Sequence, residues 1–279
     1  MKKLLLLSLA LVLASAPIFA QTSVELDPEF GGRLSLTLDK KLAKGLHFNI
    51  EEEMRMDNNF ASFNRLQTTV GISYKLNNYF KLGFSYAMIN PYSNSNNAFK
   101  AVRHRFMADA TGSLRLGDWR FSLKERLQAT YHTGDMNEYQ SPRTALTLKS
   151  RLKVSYKGMR HMEPYAYIEM RNILNAPVIN ATYNATTDIW GYYNGTTFTQ
   201  KGESGWFLDG FTGCYVNRLR GSLGFEYQFD KRNSLDINLM VDHIMDKVVD
   251  ANAEGTKLKS YTRETGFVSW LVAGYRYSF

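Results

Sequence analysis

Charged side chains recur at every second position within several apolar stretches of the chain. In residues 46–56, Glu51, Glu53 and Arg55 share one parity, while Phe48 and Ile50 take the other. Residues two apart point to the same face of a β-strand, so such a strand has one charged and one apolar face. The same alternation places a larger set on charged faces: Glu51, Glu53, Arg55, Arg65, Arg103, Arg105, Asp109, Arg115, Arg120, Lys124, Arg126, Arg151, Glu169, Arg171, Arg218, Arg220, Glu226, Asp236 and Asp242.

Guanidinium and carboxylate groups on one face support two interpretations. They can line a passage that contacts a charged solute, and the excess of arginine would then favour anions. Alternatively, they can pair with one another and hold a small barrel shut. We favour internal pairing, because a barrel of this size has little room beyond its own side chains. The expected partners of Glu51 and Glu53 are Arg55, Arg65, Arg103, Arg105, Arg120 and Arg126.

Two carboxylates, Glu52 and Glu125, fall on the apolar parity in the middle of their strands. A carboxylate that faces lipid is costly, so we expect a β-bulge to shift the local parity at each. A lipid-facing carboxylate at a lateral opening of the barrel is the functional alternative.

The histidines provide no diagnostic catalytic spacing. His132 lies near Asp135 and Ser141, and His243 follows Asp242. Nucleophilic catalysis needs a serine, a histidine and an orienting acid to converge, and neither group has the spacing that predicts this. We therefore predict no catalytic residues, and a lipid- or peptide-hydrolysing barrel enzyme remains the alternative. The sequence also lacks metal-ligand motifs, so no metal and no cofactor are predicted.

Aromatic residues gather in the longest irregular segment, 172–210. Trp190, Tyr192, Tyr193 and Trp206 stand there among asparagine, threonine and glycine. Aromatic faces beside amide groups suit a sugar or a protein partner, so these four are candidate ligand contacts. The alternative is a lid that folds over the barrel mouth and buries its own rings.

Alternating segments run through the mature chain and are longer than an average strand. The connections alternate between a short set, 41–45, 77–78, 117–118, 157–162 and 230–233, and a longer set, 57–62, 90–100, 132–142, 172–210 and 247–263. Outer-membrane barrels show this asymmetry and an even strand number. Counting the weak segment 24–27, the sequence predicts an all-β, transmembrane, antiparallel up-and-down barrel of about twelve strands. Ten is the alternative if the N-terminus lies along or inside the barrel.

Both ends of the chain agree with export to an outer membrane. Residues 1–20 combine two lysines, an apolar run and a final alanine, which predicts a signal peptide and leaves one barrel domain, 21–279. The closing segment ends in Tyr275, Tyr277 and Phe279, and it resembles the last strand of outer-membrane barrels. That resemblance implies that these three residues are read by the barrel assembly machinery.

Several strand-turn-strand segments resemble an uncharacterised family of Gram-negative outer-membrane barrels, known only as a domain of unknown function. The resemblance extends over nearly the whole mature length. It rests on RLSLTLDKKLAKGLHFNIEEEMRMD, ISYKLNNYFKLGFSYAMI, RLRGSLGFEYQFDKRNSLDINLMVD and the GYRYSF ending. It implies the fold and the location, but no activity.

These patterns predict a non-enzymatic protein of the Gram-negative outer membrane, either structural or a narrow, plugged pore. The alternatives are a surface ligand-binding barrel that uses loop 172–210, and the barrel hydrolase. Expected partners are outer-membrane lipid and the assembly machinery, with a small solute or a surface glycan as candidate ligands. An exported chain meets no nucleic acid, so the formal charge of +8 points to anionic lipid head groups instead.

Overall fold

The computed structural model describes residues 22–279, so the predicted signal peptide lies outside the described part of the chain. The described residues form sixteen β-strands. They are β1 Thr22–Glu25, β2 Glu29–Ala43, β3 Leu46–Asp57, β4 Ser62–Lys75, β5 Phe80–Ser93, β6 Ala98–Phe99, β7 Arg103–Leu116, β8 Trp119–His132, β9 Thr144–Tyr156, β10 Met162–Ala176, β11 Thr182–Asn184, β12 Ile189–Tyr193, β13 Phe198–Thr199, β14 Gly213–Gln228, β15 Asn233–Ala251 and β16 Leu258–Ser278. This part of the chain contains no helix long and apolar enough to cross a membrane.

Within residues 22–279, eleven strands close into one barrel: β2 to β5, β7 to β10 and β14 to β16. Sequential neighbours pair antiparallel, and the ring closes where β2 pairs with β16 in parallel, with Glu29 opposite Val268 and Asp39 opposite Ser278. The predicted all-β barrel of about twelve strands is confirmed. An odd number of alternating strands leaves the first and last pointing the same way, which is why the closure is parallel.

The weak first segment takes no place of its own in the ring. β1 pairs in parallel with β16, with Val24 opposite Glu264 and Glu25 opposite Thr265. It therefore lies in line with β2, along the same neighbouring strand. Pro28, which has no N–H to donate, lies in the interruption between them. The barrel has eleven strands where about twelve were predicted, because residues 24–27 do not form a separate strand of the ring.

Alternation along each strand separates an apolar outer face from a polar inner face. On β2, Leu34, Leu36 and Leu38 are 45%, 50% and 40% exposed, whereas Arg33 and Thr37 are each 6% exposed. Successive side chains of a strand point to opposite faces, so the leucines lie outside the barrel and the polar groups inside. This is the reverse of a water-soluble barrel and the pattern of one surrounded by lipid.

The two ends of the barrel differ in their connections. One end, here called the short-turn end, carries the connections 44–45, 76–79, 117–118, 157–161 and 229–232, together with the C-terminus. The other, the long-loop end, carries 58–61, 94–102, 133–143, 177–212 and 252–257. The predicted alternation of short and long connections is therefore present.

The predicted loop 247–263 is wrong. β15 continues to Ala251 and β16 begins at Leu258, so only 252–257 connects them. Val249 and Leu258 are buried against Phe207 of the long connection 177–212. This apolar cluster, against which Tyr139 of the connection 133–143 also packs, stabilises the extra strand length. Its members come from distant parts of the chain, so the local sequence does not predict the extension.

The terminal residue takes part in closing the ring. The backbone N–H of Phe279 donates to Asp39 O at 2.9 Å, and its carbonyl accepts from Lys41 N at 3.3 Å. Its ring stacks on Tyr277 at 5.9 Å between centroids, and Lys40 Nζ lies 5.2 Å from the ring centre. The chain end is thus fixed to the first strand of the barrel.

Candidate functional site

The barrel lumen gathers most of the charged groups that the sequence pattern placed together. Three ion pairs there join residues that face each other directly on neighbouring strands. Asp109 lies opposite Arg126 on β7 and β8, Arg151 opposite Glu169 on β9 and β10, and Arg220 opposite Asp242 on β14 and β15. Cross-strand neighbours are close enough for oppositely charged side chains to pair without distorting the sheet.

Asp109 is held by two cations of β8. Arg126 donates from Nε to Oδ1 at 2.6 Å and from Nη2 to Oδ2 at 2.7 Å, a bidentate contact. Lys124 Nζ lies 2.8 Å from Oδ2. A guanidinium fork on a carboxylate fixes both groups in direction as well as in charge.

A longer chain of ion pairs runs across β9, β10, β14 and β15. Arg151 contacts Glu169 at 2.6 Å, and Glu169 accepts from Arg220 Nη1 at 3.3 Å. Arg220 donates in turn to both oxygens of Asp242, at 2.5 and 2.9 Å. Asp242 is fully buried and also lies 3.3 Å from Arg218 Nη1. These five groups form one connected network on the inner wall.

The pairing around Glu51 and Glu53 matches the expected one only at Arg55. Glu53 accepts from Arg55 Nε at 2.6 Å, along the same strand. Glu51 instead accepts from the hydroxyl of Thr37 at 3.3 Å. The other expected arginines contact neither carboxylate: Arg126 pairs with Asp109, Arg105 donates to Thr130 at 3.0 Å, and Arg65, Arg103 and Arg120 have no ion pair within residues 22–279. Parity predicts which side chains share a face, but not which of them meet.

Two cavities follow each other along the lumen. The larger has a volume of about 490 Å³ and extends from Asp39 and Arg276 near the short-turn end to Arg105. The second, of about 230 Å³, lies toward the long-loop end. Its basic lining, here called the basic cluster, consists of Arg33, Arg55, Arg65, Arg105, Lys149, Arg171, Arg218 and Arg220. The remaining lining residues are Asn64, Gln128 and Trp270, so no carboxylate lies on this wall.

Sequence reasoning missed Arg33 and Lys149, although the alternation contains both. Arg33 shares its parity with Ser35 and Thr37, and Lys149 shares its parity with Arg151. Glu226, which the sequence did place inside, lines a separate cavity of about 160 Å³ near the short-turn end.

The expected β-bulges at Glu52 and Glu125 are wrong. Glu52 lies in unbroken register between Leu36 and Thr68, and Glu125 in unbroken register between Ala110 and Ser150. Both carboxylates therefore lie on the apolar outer face. Ser150 Oγ donates to Glu125 Oε2 at 2.6 Å, whereas Glu52 Oε1 is buried without a hydrogen-bond partner in residues 22–279.

The aromatic residues of the long connection divide into packed and exposed groups. Trp206 donates from Nε1 to Thr256 O at 3.1 Å, and it packs with Trp190 against the cluster around Phe207. Tyr192 and Tyr193 on β12 are 46% and 52% exposed. The segment thus folds as a cap beside the β15–β16 hairpin, with only part of its aromatic surface left open.

Within residues 22–279, neither His132 nor His243 is hydrogen-bonded to a serine or an acid, whereas His47 Nδ1 lies 2.8 Å from Asp39 Oδ1 with no serine hydrogen-bonded to the pair. The ring of His243 stacks on Phe267 on the outer face, with centroids 4.7 Å apart, whereas Asp242 points inward. His132 lies at the end of β8, where its carbonyl accepts from Arg143 Nη1 at 3.2 Å. Over residues 22–279, no group of three histidine, cysteine or acidic side chains is placed to hold a metal ion.

Comparison with known proteins identifies a family and similar folds. A family model described as Protein of unknown function (DUF2490) matches residues 30–252. No curated protein sequence matches the chain. Among solved structures, the chain is similar to a NanC porin at 12% identity and a TM-score of 0.43, covering 90% of this chain and 98% of that one. It is also similar to the outer-membrane expressed OmpT of Vibrio cholerae at 10% identity and a TM-score of 0.35, covering 83% and 64%.

Proposed function

We propose that this chain, which belongs to the family described as Protein of unknown function (DUF2490), is a non-enzymatic outer-membrane barrel whose narrow lumen is largely closed by its own charges. The observation that carries the proposal is the connected network Arg151–Glu169–Arg220–Asp242 on the inner wall. Ion pairs in a confined, poorly hydrated interior are stronger than exposed ones, and they remove charge from a passage that solutes would otherwise contact.

The outer surface supports a membrane location. Each of the eleven barrel strands in residues 22–279 has twelve or more residues, and the 9–11 residues that a tilted strand needs to cross a bilayer fit within them. Their outward leucines would form a continuous apolar surface in water, which favours lipid as the surrounding medium. An aromatic belt lies at the short-turn end, as expected at a membrane interface: Trp119, Tyr156, Tyr227, Phe229, Tyr277 and Phe279. In this account the belt lies at the periplasmic face, after removal of residues 1–20.

The proposal is tested by breaking the network at its most connected member. Asp242→Asn removes the charge that Arg33, Arg218 and Arg220 share. Arg220 keeps Glu169, but Arg33 and Arg218 lose their carboxylate partner, and breaking a buried pair in this way typically costs about 3–5 kcal/mol. We expect liposomes containing this variant to release trapped chloride faster than those containing the unaltered protein. Asp250→Asn breaks an exposed pair with Lys259 at 3.8 Å but keeps a side-chain oxygen that can accept from Gln140 Nε2. It is the matched control and should leave the leak unchanged.

Only barrels that migrate anomalously on gels until boiled would be compared, so that unfolded protein is excluded. Equal leak from the Asp242→Asn and Asp250→Asn barrels would mean that the network does not close the lumen.

The exposed pair Tyr192 and Tyr193 favours a second candidate function, recognition of a surface glycan by the cap. Both rings lie on β12 and stay open after the neighbouring tryptophans pack. Tyr192→Ala with Tyr193→Ala should abolish binding to a glycan array without changing the leak. An array without any binding by the unaltered protein would remove this candidate.

A further inference from the structure

The second lumen cavity contains an unusual concentration of hydrogen-bond donors that have no acceptor. Five buried side-chain nitrogens in residues 22–279 lack a hydrogen-bond partner: Nε and Nη2 of Arg33, Nε of Arg65, Nε of Arg218 and Nε1 of Trp270. All of them belong to residues that line this one cavity, where Gln128 Oε1 is a single buried, unpaired acceptor among the lining side chains of residues 22–279. Arg33 is only 6% exposed, so its free donors are directed into the interior and not toward bulk solvent. A buried donor without an acceptor destabilises the protein, which makes a shared acceptor the expected occupant.

The charges around the cavity are strongly unbalanced. Eight cations form the basic cluster, and the carboxylates in contact with them are Glu53, Glu169 and Asp242. Each of these is already engaged: Glu53 by Arg55, Glu169 by Arg220, and Asp242 by Arg220, by Arg218 and, at 3.9 Å, by Arg33. A single monovalent anion would leave most of the excess positive charge uncompensated, whereas an anion with several charges would offset much more of it.

The donor chemistry narrows the class of anion further. Guanidinium groups present planar forks that match the oxygens of phosphate and carboxylate groups in bidentate fashion. The guanidinium of Arg33 lies 4.3 Å from the centre of the Trp270 ring, which fixes its orientation by a cation–π contact. A cavity of about 230 Å³ is many times larger than the ~10–15 Å³ needed to hold one water molecule, so it has room for a small oxyanion with some of its hydration.

We infer that the basic cluster is a binding site for a small multivalent oxyanion, one that carries two or more phosphate or carboxylate groups. The inference deepens the proposed function and rests on it only because the site lies in the same lumen. The bound anion would complete the closure of the passage at its long-loop half, where the barrel's own carboxylates are too few.

Calorimetric titration of the folded full-length barrel in detergent tests the inference, with pyrophosphate, citrate and acetate as probes. Pyrophosphate or citrate should bind at least about tenfold more tightly than acetate at low salt, and the binding should weaken as salt rises. Tight binding of pyrophosphate alone identifies a phosphate site, and tight binding of citrate alone a polycarboxylate site. Equal, weak heats from all three probes would overturn the inference without any variant being needed.

Variants locate the site. Arg65→Gln and Arg218→Gln should each weaken binding of the preferred probe about tenfold, because each removes a cation with a free donor. Arg120→Gln removes the same charge near the short-turn end, outside the cavity lining, and should bind as the unaltered protein does. A comparable loss in Arg120→Gln would indicate general attraction to a basic protein and contradict the site.

The titration tests the anion site and the leak measurement tests the closed lumen, so either proposal can be contradicted without the other. Absent binding in a barrel that stays closed would overturn the anion site and leave the proposed function intact. Tight binding in a barrel that conducts freely would overturn the proposed function and leave the anion site intact.

Discussion

At the scale of single residues, the lumen is organised by a few carboxylates among many arginines. Asp109, Glu169 and Asp242 each contact two or more cations. Each carboxylate therefore fixes the direction of its guanidinium partners, and removing one acid frees several cations at once. This explains why substitution of an acid should change the lumen more than substitution of one of the arginines.

Glu52 offers a test of which face of the wall meets lipid. Glu52→Leu should raise the free energy of unfolding in lipid by about 1–2 kcal/mol, because it removes an acidic group from the apolar face near mid-strand. Glu51→Leu, one residue away on the inner face, should lower it by removing the acceptor of the Thr37 hydroxyl. Urea titration in lipid vesicles measures both, and a stabilised Glu51→Leu barrel would mean that the two faces are exchanged.

The sequence alone predicts which charged side chains lie on the inner wall. Period-two alternation places Glu53, Arg55 and Asp109 on the inner wall, because every strand side chain has only two directions to choose from. The ion-pair partners could not be predicted, because they depend on the register between neighbouring strands and on how far each side chain extends. Glu52 and Glu125 were misjudged because the cost of a lipid-facing carboxylate was taken as sufficient reason for a bulge.

At the scale of elements, the closure between β2 and β16 is the feature that sequence patterns did not predict. Alternation identifies a strand without giving its direction relative to a partner far along the chain. The short segment at 24–27 suggested an even strand number, and the break at Pro28 gave no sign that β1 and β2 share one neighbour. The extension of β15 and β16 was also not predicted. Its apolar residues pack against a cap formed by a distant part of the chain, which the local sequence does not reveal.

A cysteine pair tests the parallel closure directly. Leu36 lies opposite Tyr275 in the observed register, and neighbouring strands are about 4.8 Å apart, within the reach of a disulfide. Leu36→Cys with Tyr275→Cys should therefore form a disulfide under mild oxidation, in a background where Cys214 is replaced by serine. Leu36→Cys with Leu271→Cys is the control, because the four-residue offset separates the two sites by about 13 Å. Cross-linking of the control pair alone would contradict the register.

The last strand should also govern assembly. Deleting Phe279 removes two backbone hydrogen bonds to β2 and a ring stack on Tyr277, and Tyr275→Asp with Tyr277→Asp places charge in the aromatic belt. Both changes should reduce the amount of heat-modifiable barrel in outer-membrane fractions several-fold. Phe267→Ala, on the outer face of the same strand but near its long-loop half, should have a much smaller effect. Normal insertion of the deletion variant would mean that the chain end is not an assembly signal.

At the scale of the whole molecule, the chain separates two environments with one sheet. Its outer face is apolar and aromatic, and its inner face is charged and partly self-paired. At its long-loop end, the connections 133–143 and 177–212 pack against the β15–β16 hairpin as a cap. The interior has volume for water and small ions, yet ion pairs centred on Asp109, Glu169 and Asp242 hold several of its charges together. The expected behaviour is a membrane scaffold with little steady flow of ions.

Electrical recording from the purified, unaltered barrel in a planar lipid bilayer tests this claim most directly. We expect insertion without a large, stable step in current, because the ion pairs of Asp109, Glu169 and Asp242 obstruct the lumen. Asp242→Asn barrels recorded in parallel should show larger and noisier anion-selective currents, which demonstrates that insertion has occurred. A large, steady conductance from the unaltered protein would contradict a lumen closed by its own charges.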